Sequence, residues 1–155
     1  MHIILIFNKK PNHLKGMKER KVVVKESEFL KGAPMETLPG IRDIKVIYPE
    51  LIPDVRSLCM GIVEVDPGHH TPLHKHNCEE VYYILSGRGY VEVDGIKYEV
   101  KAGDAVYIKE NLPHRIFNTG EEILRYVDVA GIMFVSLLPE WPTQSPYVIL
   151  EKPKQ

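Results

Sequence analysis

The sequence predicts an all-β domain, a sandwich or barrel, and three observations carry that prediction. Apolar patterns with a helical period are scarce. Short apolar or alternating runs, punctuated by Gly, Pro, Asn and Asp, recur along most of the 155 residues, as they do where many short strands follow one another. The stretch Val91–Val100 reads as two alternating strands around Asp94-Gly95, a pair suited to the positive φ angles of a type I′ turn.

Taken in order, His2–Phe7 is apolar but too short to span a membrane, and it has neither a basic region before it nor a small-residue cleavage site after it. No export signal is read. A basic, polar segment follows from Asn8 to Lys21, and Met17 is an alternative start that would make residues 1–16 an over-called extension. The competing reading is an N-terminal strand that pairs with another subunit. Strands are expected at Ile44–Tyr48 and Ser57–Val65, separated by the region of Pro49 and Pro53, and Asp66-Pro67-Gly68 is a turn. In the hairpin, Glu92 should face Lys97, with Val91 opposite Tyr98 and Val93 opposite Ile96 on the core side. Further strands are expected at Ala105–Ile108, His114–Asn118 and Ile123–Ala130. The tail from Pro139, with Trp141, Pro142 and Pro146, should run irregularly outside the barrel, and Tyr147–Leu150 is a candidate edge strand.

This length suits one domain with its own core: an extension over 1–20, a barrel core over 40–135 and a tail over 136–155. Hydrophobic content of 44%, charged content of 26% and a formal net charge of −1 describe an ordinary soluble domain with no nucleic-acid footprint. Cys59 and Cys78 form no CxxC pair and no disulfide framework, which fits a cytoplasmic location. Both read as small buried hydrophobes, although Cys78 lies between two candidate ligands and could support them.

Those candidates are His74, His76, Glu80 and His114; five of the seven histidines fall between positions 69 and 114. The first three lie at even spacings, so a single strand would aim them to one face, and a neighbouring strand would supply His114. Imidazole nitrogens with one carboxylate suit a divalent transition metal (Mn, Fe, Ni, Cu or Zn) better than Ca or Mg. The plain alternative is a set of scattered surface histidines.

The chain resembles a small single-domain cupin. That family's first motif (glycine, five residues, His-x-His, three or four residues, Glu, six residues, glycine) is matched by Gly68, His74, His76, Glu80 and Gly87. Its second is matched by Gly103, His114 and Asn118, and fifteen residues, Arg88–Ala102, separate the two. Lys109 stands where proline is usual and Asn111 where glycine is usual; Asn tolerates left-handed geometry better than other non-glycine residues. The resemblance implies a cupin jelly-roll barrel of two antiparallel sheets, with a metal bound inside by His74, His76, Glu80 and His114. It also implies a homodimer that packs one sheet or exchanges N-terminal strands, which would give residues 21–35 a role. The chemistries it implies include dioxygenases, oxidative decarboxylases and sugar-phosphate isomerases.

Strand parity puts Tyr82 and Ile84 on the face of Glu80, and Ile116 and Asn118 on the face of His114, as pocket candidates. His69 or His70 could act as a general base at the mouth, against an exposed loop histidine. Arg125 has the opposite parity to Tyr126 and Asp128, so the three cannot all face inward. The expected function is a metalloenzyme of dioxygenase or isomerase type acting on a small organic substrate. The alternative is a non-catalytic metabolite-binding or sensing module. Neither a membrane nor a nucleic acid is an expected partner.

Overall fold

The computed structural model describes residues 20–31, 38–131 and 148–151. Within them the only helical element is a 3-10 turn at Glu26–Glu28. Eleven strands are described: β1 (Leu30–Lys31), β2 (Ile41–Ile47), β3 (Leu58–Val65), β4 (Leu73–Lys75), β5 (Glu80–Ser86), β6 (Arg88–Val93), β7 (Ile96–Lys101), β8 (Ala105–Ile108), β9 (His114–Asn118), β10 (Leu124–Gly131) and β11 (Val148–Glu151). They form a six-stranded sheet, β1-β2-β3-β10-β5-β8, and a five-stranded sheet, β11-β4-β9-β6-β7. Every pairing is antiparallel. This is the jelly roll expected from the sequence. The readings of residues 1–19 and of most of the tail fall outside the described residues.

Alternation decides which side chains meet between the sheets. Tyr82 and Ile84 of β5, Val91 of β6, Ile116 of β9 and Leu124 and Tyr126 of β10 are buried in one core cluster. Removing such groups from water is the main driving force for closing the two sheets. The strands after the first motif match expectation closely: Ala105–Ile108 and His114–Asn118 are as read, and β11 is an edge strand on β4. Asp94 (φ 51) and Gly95 (φ 80) form the hairpin turn, and Glu92 faces Lys97.

Two expectations are corrected. Val91 of the hairpin is buried, but its partner Tyr98 and the nearby Ile96 are 50% and 57% exposed. β7 is an edge strand, and only Val100 along it reaches the core; beside it lies an open groove lined by Val93, Tyr98, Val106 and Tyr107, among others. The second correction concerns the first motif, which is not one strand. β4 ends at Lys75, a bend occupies Asn77-Cys78, and β5 begins at Glu80 in the other sheet.

Candidate metal centre

That crossing between sheets builds the site. His74 lies on β4, His76 just after it, Glu80 at the first position of β5 and His114 at the first position of β9. His74 and His114 are directly opposite each other in the β4–β9 pair. All four side chains are buried, and one ligand atom from each lies within 4.8 Å of all the others. The cluster is therefore able to hold a metal ion. The even spacing read along one strand does bring the side chains together, but across the barrel.

The backbone around each imidazole sets its orientation. Nδ1 of His74 lies 2.7 Å from Pro72 O, Nδ1 of His76 2.9 Å from Cys78 O, and Nδ1 of His114 2.9 Å from Leu112 O. A carbonyl oxygen only accepts, so in each ring Nδ1 donates and the neutral ring's lone pair falls on Nε2. Metal-bound histidines are commonly held this way. Nε2 of His76 and Nε2 of His114 both lie 3.0 Å from Glu80 Oε2, and the Tyr82 hydroxyl donates to that same oxygen at 3.2 Å. The loop before β9 is tied in as well: Asn111, in left-handed geometry at φ 64, donates its N–H to His76 O at 2.7 Å.

Electrostatics follow from this packing. Burial, with His114 beside it, pushes the His74 imidazole down to about 3, so it is neutral with a lone pair to offer. Burial alone would lower His76, but Cys78 and Glu80 raise it to about 10. Burial would raise Glu80, yet the contacts from His114 and His76 hold it below the ordinary carboxylate range. A proton on His76 Nε2 thus bridges that ring to Glu80, and a divalent cation would take its place.

The remaining expected residues fall in different places. Tyr82 adjoins the cluster through Glu80, and its ring packs on Tyr126 with centroids 4.5 Å apart. Ile84 and Ile116 are fully buried core residues. The Asn118 amide donates to Val65 O (2.8 Å) and Glu122 O (2.7 Å), tying together the turn before β10. His70 is not brought to the cluster: its ring lies 4.5 Å from that of Phe117, whose parity along β9 is opposite to His114. His69 is an exposed loop residue whose Nδ1 lies near Pro67 O. Cys78 does touch the site, with Sγ 3.2 Å from His76 Nδ1. Arg125 points outward and meets Glu64 at 3.4 Å, while Tyr126 takes the inward parity with Asp128.

Fold and cluster together define a small jelly-roll protein with a candidate metal centre inside the barrel. The chain belongs to the cupin family: the profile described as Cupin domain matches residues 61–130. It is 41% identical over 102 residues to an uncharacterised protein of Methanocaldococcus jannaschii, covering 64% of this chain and 80% of that one. It is 39% identical over 71 residues to the dimethylsulfoniopropionate lyase DddW of Ruegeria pomeroyi, covering 46% of each, so it spans under half of that lyase. Among solved structures it is similar to a predicted oxalate decarboxylase of Thermotoga maritima, with a TM-score of 0.59 and 28% identity over 70% of this chain and 97% of that one.

Proposed function

We propose that the protein is a metalloenzyme that binds one divalent transition metal, Mn, Fe, Ni, Cu or Zn, through His74, His76, Glu80 and His114, and acts on a small organic molecule in the barrel. The observation that supports this above all is the common tautomer: three Nδ1 atoms are occupied by backbone carbonyls, so three Nε2 atoms are left to converge with Glu80. When bound, the metal would supply Lewis acidity and, if redox-active, a site for dioxygen beside a chelating substrate. The protein's own part is to orient the imidazoles, hold Glu80 with the Tyr82 hydroxyl and exclude water with the apolar wall beneath.

Of the two branches, the oxygenase type has more support than sugar-phosphate isomerisation. A phosphate needs a cluster of inward cations. Among the described residues the buried cation is Lys45, on the inward face of β2, and it is 2.9 Å from Glu50. We also assign the chain to the cytoplasm, supported by two free cysteines, and to a homodimer. No helix among the described residues is long and apolar enough to cross a membrane.

Elemental analysis of protein from its native source, followed by oxygen uptake against a panel of small carboxylic and keto acids, tests this reading. Stoichiometric iron, manganese, nickel or copper with uptake supports it. Zinc with no uptake would sink the oxygenase branch, and saturable ligand binding without turnover would favour the metabolite-binding alternative.

A further inference from the structure

The inner face of the six-stranded sheet, which carries Glu80, also carries charge that the cluster does not use. Asp43 of β2 and Asp128 of β10 lie on the inward parity of their strands, one on either side of β3. Between them stands Gly61, paired with both Lys45 and Asp128. The absence of a side chain there is required: a Cβ on Gly61 would collide with Asp128 Oδ1. The Asp128 carboxyl therefore leans across β3 toward Asp43. Asp128 is opposite Tyr82 in the β10–β5 pair, and Glu80 is opposite Ala130. The carboxyl is thus a diagonal neighbour of the Glu80 side chain, a separation of about 7–8 Å between such positions.

Oδ1 of Asp43 and Oδ1 of Asp128 are both buried without a hydrogen-bond partner of good geometry; the backbone N–H groups of Asp128 and Gly61 lie beside the Asp128 carboxyl. A buried acceptor with no partner is costly, on the order of 1–3 kcal/mol, and two in one place call for a reason. The other titratable groups around them do not supply it. Lys45 Nζ is 2.9 Å from Glu50 Oε1, the Tyr82 hydroxyl is given to Glu80, and Cys59 Sγ faces Ala130 O; Tyr48, just past the end of β2, is buried beside both carboxyls and beside Cys59. Burial, opposed by Lys45 and reinforced by Glu80, raises Asp43 to about 7, and burial with Asp43 and Glu80 beside it raises Asp128 as well. The pair thus offers both a carboxylic O–H and acceptor oxygens at neutral pH.

We propose that Asp43 and Asp128 form a second recognition site in the barrel, one that takes the hydroxyl groups of a small hydroxylated carboxylate whose acid end chelates the metal at His74, His76, Glu80 and His114. This rests on the metal reading above. A hydroxyl is both donor and acceptor, so it satisfies a protonated carboxyl and an orphan oxygen together. A second carboxylate or a phosphate on that arm would be repelled, and an all-apolar arm would leave both oxygens without partners.

The test uses three probes with one chelating head: lactate, glycerate and threonate share the 2-hydroxy acid group and carry none, one and two further hydroxyls. Their affinities for the metal-loaded protein are measured by calorimetry. Threonate or glycerate should bind roughly tenfold tighter than lactate, the size expected for a hydrogen bond to a charged group. Asp43→Ala and Asp128→Ala should abolish that preference and leave lactate affinity and metal content unchanged. Asn at either position keeps a hydrogen-bonding group and should restore part of the preference, which also covers the case of an Ala variant that does not fold. Equal binding of all three probes to the unmodified protein, or equal losses for all three in the variants, would overturn the assignment. If lactate itself fails to bind, or no metal loads, the metal reading has failed instead.

Discussion

At the scale of single residues, what distinguishes this site is how much of it is positioned by backbone carbonyls. His76 is the most constrained: Nδ1 meets Cys78 O and Nε2 meets Glu80. His76→Ala removes a ligand and leaves Glu80 with one imidazole partner fewer, so metal stoichiometry should fall by at least tenfold, as should the metal-induced rise in melting temperature, which exists only while the folded state binds the ion. Unchanged metal content in the purified variant would refute the shared site. Asp43 carries a separate, pH-dependent consequence. Its carboxyl is raised from 3.8 to about 7, chiefly by burial, so the folded chain binds this proton more tightly than the unfolded one does. The associated stability is present below 3.8 and lost as pH rises through about 7. Asp43→Asn should flatten that part of the profile, making the variant the more stable partner at alkaline pH. Parallel urea midpoints for both proteins across the range would expose the opposite trend.

Among the elements, close approach of strands sets the tolerances. A Cβ on Gly89 of β6 would overlap the Phe117 carbonyl of β9, whereas a Cβ on Gly95 in the hairpin turn would meet nothing. Gly89→Ala should therefore destabilise by about 1–3 kcal/mol through forced separation of two central strands. Gly95→Ala should cost about 1–2 kcal/mol through its left-handed backbone alone; denaturant unfolding with equal m-values would measure both, and a harmless Gly89→Ala would contradict the packing of β6 on β9. The same elements explain how much was legible beforehand. Asp94-Gly95 announces its turn chemically, so the register of β6 on β7 could be written down pair by pair. Which hairpin residues reach the core could not, because that depends on β7 being an edge. The four candidate ligands were legible from spacing, but Asn77-Cys78 carries no Gly or Pro to announce the bend that sends β4 and β5 to different sheets. Asp43 is not legible in this way, because the expected strand begins at Ile44 and the register shift between Lys45 and Ile47 breaks the alternation that would place Asp43 and Lys45 facing inward.

For the whole molecule, the outer face of the six-stranded sheet bears on assembly. Its outward side chains form two apolar rows across consecutive strands: Ile44, Ile62, Val127 and Tyr83 in one, Met60, Val129, Val81 and Tyr107 in the other. Val81, Tyr83, Leu85 and Tyr107 are 42%, 49%, 42% and 61% exposed. Monomeric proteins seldom leave a contiguous apolar patch of more than a few hundred Å² in water, and a stable interface buries roughly 800 Å² from each partner. A second copy of this chain is a natural occupant, since an apolar sheet face pairs with itself about a two-fold axis without needing complementary charges. On the outer face of the opposite sheet, among the described residues, Arg115 lies over the Phe117 ring and Lys97 over the Tyr90 ring, so charge covers those aromatics. Sedimentation velocity at micromolar concentration should then give the mass of two chains. Tyr83→Glu combined with Val81→Glu should shift it to one chain, because each copy would bury two unpaired carboxylates. The metal content of this double variant should stay intact, since both side chains point away from His74, His76, Glu80 and His114. A single-chain mass for the unmodified protein, or a dimer that survives both substitutions, would show that this face is not where two copies meet.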